Sequence, residues 1–197
     1  LQQYPAANVE ILALGHVRIF NALREDDIDL AIVIEPRSVE SDGPVRDEDL
    51  ERLVIRSQPV TLLLPEEHAL AHRNEITPED LRELPVATIS RLHGVALAEM
   101  VARALASAGA VLVRPPEADA FSLVRHASDE RTSAIDLGWF DVRSYLGLMV
   151  RDMGMISKPV PALGLATQLS VLRRRREQRP AALRFWEHAR LSVSNMK

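Results

Sequence analysis

Cysteine is absent from the 197-residue chain, which excludes a disulfide framework and any thiolate metal site and agrees with a reducing compartment. Also missing are an apolar run long enough to span a membrane and the pattern of a signal peptide. Positive charge is not in excess: 24 Lys and Arg against 28 Asp and Glu leave a net charge of −4, which argues against a nucleic-acid surface within this chain. No glycine-rich phosphate or dinucleotide loop occurs, and no Gly-x-Ser-x-Gly elbow supports a catalytic triad. Internal repeats and low-complexity tracts are lacking. What remains, with 47% hydrophobic and 26% charged residues, is the composition of a soluble globular protein of one or two domains with a sizeable core.

The chain is organised around residues 62–85. The apolar run Leu62-Leu63-Leu64 ends at Pro65, a polar connection carries His68, and Thr77 opens a short helix. Thr77 offers a capping oxygen, Pro78 suits the first helical position, and Glu79 and Asp80 favour the positive end of the helix dipole. Leu81 and Leu84 share one face, and Pro85 stops the helix before the next strand.

On either side, strands and helices alternate. Residues 9–14 read as a short apolar strand ending at Gly15, and 16–25 as a helix with Val17, Phe20 and Leu23 on one side. Residues 28–34 are apolar almost throughout, as in a strand covered on both faces. A polar loop follows over 36–50, then strands at 53–55 and 60–64 around Pro59. Residues 86–89 read as a buried strand leading into Ser90-Arg91-Leu92-His93-Gly94. Leu97, Met100, Val101, Ala104, Leu105 and Ala108 then follow the three-four spacing of an amphipathic helix closed by Gly109. Beyond it come a strand at 110–113, a helix at 118–127 and a strand at 133–137, with a further helix over 142–150 and a strand over 155–160. Residues 168–172 form a strand running into Arg173-Arg174-Arg175-Arg176, and Pro180 starts a terminal helix carrying Leu183, Trp186, Ala189 and Val193. Such alternation implies an α/β fold, a parallel sheet with helices on both faces.

Three ordered stretches carry a resemblance. One is the strand ending in Pro65, followed by His68-Ala69-Leu70-Ala71 and by Ile76-Thr77 leading into Asp80-Leu81. The others are Tyr4-Pro5 followed by Val9-Glu10-Ile11-Leu12 and Gly15, and Leu23 through Ile28-Asp29-Leu30-Ala31-Ile32. Together they resemble the effector-binding domain of LysR-type transcriptional regulators, best over residues 1–100. The resemblance implies a two-lobed fold like that of type 2 periplasmic solute-binding proteins, each lobe a small, mostly parallel sheet flanked by helices. Lobe I would comprise residues 1–86 and 162–197, and lobe II residues 87–161. By the same resemblance, a winged helix-turn-helix, a linker and the domain's first strand and helix precede the chain, so DNA is met only through that absent N-terminal part. It further implies a small-molecule effector, a cytoplasmic location, no cofactor and no catalysis. Pairing into homodimers or homotetramers would use the helix after His16 and that over 118–127. A solute-binding protein of a transport system is the alternative, separable by whether a helix-turn-helix or a signal peptide lies upstream. An enzyme on this fold would need an acid–base pair that the sequence does not assemble.

In such sheets ligands sit beyond the carboxyl ends of strands, here in the cleft between lobes. The resemblance places Gly15-His16 there, where the family usually has Gly followed by Ser or Thr. His16 departs from that pattern and reads equally as a ligand contact and as a surface residue capping a helix. Ser90 and Arg91 lie between a buried strand and the start of the long helix, where free N–H groups and the dipole favour an anion and Arg91 can hold a carboxylate bidentately. His93 shares that loop. Glu35, at a strand's carboxyl end, can take a ligand's amine or hydroxyl, or simply be solvated. Asp119 and Phe121 stand near the start of a helix that faces the cleft in the family, and Phe121 also reads as core. A set so rich in donors favours an anionic metabolite such as a small carboxylate.

His68 and His72 have the spacing of two zinc ligands, but Ala-Leu-Ala between them lacks a zincin's glutamate, so no metal site is expected. The run of four arginines is the one feature suggesting nucleic acid. Set at a strand's end in an acidic chain, it reads instead as a solvated edge that discourages edge pairing.

Overall fold

The computed structural model describes residues 8–38, 48–91, 94–115, 120–138, 140 and 145–194. In chain order its elements are α1 (His16–Arg24), β1 (Leu30–Ser38), β2 (Leu50–Pro59), β3 (Thr61–Pro65), α2 (Pro78–Leu81), β4 (Pro85–Ala87), α3 (Val95–Ser107), β5 (Val111–Val113), α4 (Ala120–Asp129), β6 (Ser133–Asp136), α5 (Tyr145–Asp152), β7 (Met155–Pro159), β8 (Leu165–Arg174) and α6 (Pro180–Ser194). They fall into two compact units, one of residues 1–33, 45–56 and 169–197, the other of residues 34–44 and 57–168.

The second unit carries a five-stranded sheet in the order β5-β4-β6-β3-β7. β4 runs parallel to β5 and β6, whereas β3 is antiparallel to both of its neighbours, β6 and β7. The parallel sheet expected from alternation therefore has one reversed strand. β3 joins β6 and β7 by its ladders, and the second compact unit accordingly takes in residues 57–84 as well as 34–44. Leu62, Leu63 and Leu64 have no exposed surface, and they share one apolar core with Leu97, Val101 and Leu105 of α3 and Leu123, Val124 and Ala127 of α4.

Local signals in this unit act as their chemistry dictates. Asp80 accepts hydrogen bonds from the Thr77 backbone N–H and hydroxyl, both at 3.0 Å, fixing the start of α2. The Thr77 N–H above all, then the Thr77 hydroxyl and Arg73 at 3.5 Å, hold the Asp80 carboxyl below the usual carboxylate range. Gly109, at φ +82°, closes α3: its N–H reaches Ala106 O and the next N–H reaches Leu105 O, each at 3.0 Å. α5 and β7 form as the sequence leads one to expect, the helix starting at Tyr145.

In the first unit the sheet order is β1-β8-β2. Ala31, Val33, Leu50 and Leu172 are buried with Leu23 of α1, and Ile19, Phe20 and Ile28 pack against them. Val17, expected on that face, is 64% exposed. β1 runs through Pro36 into the span expected to be loop, and β2 absorbs the short strand expected at 53–55. Residues 9–14 form no strand, and Val9, Ile11 and Leu12 are exposed. A strand persists only through a ladder to a neighbour, and among the described residues none pairs with this one. Tyr4-Pro5 lies outside the described residues.

The arginine run departs most from expectation. β8 is the middle strand of its sheet and not a solvated edge. Arg173 lies 4.5 Å over the Trp186 ring of α6 and bonds Glu51 on β2 at 2.8 Å. Arg174 is buried; it donates to the carbonyls of Leu23 and Ile28, each at 2.7 Å, and pairs with Glu177 and with Asp26 at 2.6 Å. Arg175 bonds the Glu48 carbonyl at 2.8 Å. Glu177, buried itself, accepts the N–H groups of Gln178 and Arg179 just ahead of α6. Basic side chains thus tie α1, β2 and α6 to one strand. None of the described helices is long and apolar enough to cross a membrane.

Arg174→Met leaves the Glu177 carboxylate buried without its partner and should cost about 3–5 kcal/mol in urea unfolding. Adding Glu177→Gln should restore a large part of that loss, because the buried charge goes with it. Equal instability of the single and double variants would show that the pair is not coupled.

Candidate functional site

β4 ends at Ala87, and one further bond, from the Thr88 N–H to Val113 O at 2.9 Å, carries its pairing with β5 past the strand's carboxyl end. Thr88 is 2% exposed, and its hydroxyl has no hydrogen-bond partner among the described residues. A buried unpaired hydroxyl is costly, and native folds keep few of them. Six residues on, Gly94 takes φ +113°, which favours glycine, and precedes α3 without offering a side-chain cap. The amides opening this 13-residue helix therefore receive no oxygen from their N-cap residue, while the aligned peptide dipoles place positive potential there. Between these features stand Ser90, half-buried, and Arg91, exposed, whose guanidinium pairs with Glu99 of α3. Thr88, Ser90, Arg91 and the start of α3 thus bring donors to the carboxyl end of β4.

The neighbouring strand end is different in kind. Asp136, buried at the end of β6, accepts the Thr61 hydroxyl at 3.1 Å and the Gly138 N–H at 2.8 Å. Leu137 O accepts the Thr167 hydroxyl at 2.7 Å and the Gln58 amide at 3.4 Å. Gly138 stands at φ +92°, and a Cβ there would fall 0.9 Å from Gln58 Nε2, so a larger residue would expel that amide. Here polar groups satisfy one another and stiffen the sheet end; at Thr88 a buried hydroxyl stays unfilled among the described residues.

The other residues singled out from sequence are scattered. Glu35 is buried and accepts the Gln168 amide at 3.4 Å, which removes the solvated reading. Phe121 is 42% exposed on α4, which removes the core reading. His16 belongs to the first unit, where it opens α1 without capping it and its ring lies 4.9 Å from that of Phe20. His93 and Asp119 lie outside the described residues. Thr88 was not singled out: a lone Thr at a strand end is ordinary, and only burial makes it informative. His68 Nδ1 accepts the Leu70 N–H at 3.2 Å and caps a 3-10 turn, Ala69–His72; among the described residues no three acidic or His side chains are grouped to hold a metal. A concavity of about 590 Å³ in the first unit is lined by Arg24, Asp26, Arg174, Arg176 and Arg179, and its buried Arg174 is already held by Leu23 O, Ile28 O, Asp26 and Glu177.

Over residues 1–193 the sequence matches the family described as the LysR substrate binding domain. No curated protein matches it. Among solved structures, full-length CbnR in complex with its target DNA superposes at TM-score 0.73 with 16% identity, covering 98% of this chain and 62% of that one. The regulatory domain of CcmR from Synechocystis PCC6803, in complex with 2-PG, gives 0.71 with 16% identity over 99% of this chain and 88% of that one. The reduced regulatory domain of OxyR2 from Vibrio vulnificus gives 0.71 with 15% identity over 100% and 84%. At these identities the likeness shows the fold, and the chain spans about three-fifths of CbnR.

Thr88→Val keeps the side chain's shape and removes the unpaired hydroxyl, so it should raise stability by about 1 kcal/mol in urea unfolding. A loss of similar size would mean that the hydroxyl is bonded and that this strand end holds no unfilled group.

Proposed function

The chain belongs to the LysR substrate binding domain family and is an effector-sensing regulatory domain; from that premise we propose that its effector is a small carboxylate or similar anion held at the turn from Thr88 to Gly94. The observation that carries this is the buried Thr88 hydroxyl at the carboxyl end of β4, without a partner among the described residues, a few residues ahead of a helix start that lacks a side-chain cap. Strand ends of this kind are where open α/β sheets bind ligands, and helix starts of this kind favour anions. Ser90 adds a hydroxyl and Arg91 a guanidinium able to grip a carboxylate with two bonds. The CcmR regulatory domain, of the same fold, is seen with 2-PG, which agrees with a small ligand.

The domain would bind and release this ligand without making or breaking a bond. Its consequence is a shift between arrangements of a longer regulator, limited to the ligand's differential affinity for them. CbnR, a LysR family transcriptional regulator of which this chain spans 62%, is seen bound to its target DNA; by analogy the DNA contact here belongs to further sequence, in a cytoplasmic homo-oligomer.

A thermal-shift screen of small carboxylates and neutral metabolites, followed by calorimetry on the best hit, tests the site. Arg91→Ala should weaken that hit about ten- to a hundredfold, the worth of a charge-assisted bond of about 1.5–3 kcal/mol. A cationic or wholly apolar best ligand, or an unchanged affinity in Arg91→Ala, would contradict the proposal.

A further inference from the structure

At the 88–94 turn the charged donor is already taken. The Thr88 hydroxyl has no partner among the described residues, and the start of α3 has no side-chain cap. The Arg91 guanidinium, by contrast, is paired with the carboxylate of Glu99, on α3 itself and eight residues further along the chain. Both side chains are largely exposed, at 71% and 48%, so the pair is screened by water and weak enough to be exchanged. Glu99 presents the same group, a carboxylate, that the proposed effector would present.

We propose that Glu99 is a built-in competitor: it occupies Arg91 in the ligand-free protein, and an anionic effector binds by displacing it. The inference rests on the reading of the 88–94 turn as an anion site. Binding is then an exchange of one carboxylate for another on Arg91, with the Thr88 hydroxyl and the helix start supplying what the internal acid does not satisfy. Glu99 sets the affinity threshold. Weak anions fail against it, and an effector must offer more than a single charge to win. Release of Glu99 also frees the side chain from the turn, which couples occupancy of the site to the first turns of α3.

Mere removal of a nearby negative charge would also favour an anion, so the test separates displacement from field. Inorganic sulfate is titrated at constant ionic strength and followed by the amide NMR signals of residues 88–97 in the native chain, Glu99→Gln, Glu99→Asp, Arg91→Ala and the Arg91→Ala, Glu99→Gln double variant. Glu99→Asp keeps the charge but shortens the arm by one methylene, which weakens the pair. Displacement predicts that Glu99→Gln and Glu99→Asp both bind sulfate about two- to fivefold more tightly, the worth of an exposed ion pair, and that the gain vanishes without Arg91. Glu99→Asp binding like the native chain, or a Glu99→Gln gain that survives in the double variant, overturns displacement in favour of a simple field. Weaker binding in Arg91→Ala with no gain at Glu99 overturns the competitor alone and leaves the anion site standing. No response of residues 88–97 to sulfate in any variant overturns both.

Discussion

A strand whose apolar side chains have no surface in water must satisfy its backbone on both edges and its side chains on both faces, and β3 is such a strand. Leu62, Leu63 and Leu64 are wholly buried, so β3 has to lie between two others, and it does, antiparallel to β6 on one side and β7 on the other. That constraint organises the second unit. It sets β6 beside β3 and leaves β6 free to pair on its far edge with β4, in parallel, so that both strands end at the same edge of the sheet. Three methylene-rich side chains in a row, each worth about 1.5–3 kcal/mol when buried, make a strong anchor for this arrangement. The chemistry at the strand ends follows from it.

At that edge two strategies for polar groups stand side by side. The end of β6 is closed: Asp136, Thr61, Gly138 and Thr167 bond to one another or to backbone, and Gly138 lacks the Cβ that would push Gln58 away. A closed network holds geometry but has nothing left for a ligand. The end of β4 is open at Thr88, and its one strong charge, Arg91, is engaged only by an exposed acid. Rigid support beside unsatisfied donors is what a binding site requires, because a ligand gains most where the protein has already met the cost of order.

Much of this was legible in the sequence, and the rest failed for reasons of range. α3 could be read because its apolar spacing and Gly109 are local, as could α2 because Thr77 and Asp80 are three residues apart. Residues 9–14 have an apolar strand's composition, but pairing is a property of two segments and no ladder forms among the described residues. The arginine run looked like a solvated edge because its partners are remote: Arg173 meets Glu51 across 122 positions and Arg174 meets Leu23 across 151. The reversed strand was hidden for the same reason, since β3 pairs with strands more than 70 residues away. In the site, Ser90 and Arg91 drew attention by lying between strand and helix, whereas Thr88 is marked only by burial and Arg91's pairing with Glu99 only by geometry.

The proposed site is a single location, the turn between β4 and α3, where an anion would be met. The direct measurement is amide chemical-shift mapping of the native chain against the best carboxylate from a ligand screen. The largest changes should fall on Thr88, whose hydroxyl would gain an acceptor, and on the first three residues of α3, whose N–H groups would. If those signals stay still while the residues lining the concavity at Arg174 and Arg179 respond, the ligand binds in the first unit and the proposed site is wrong.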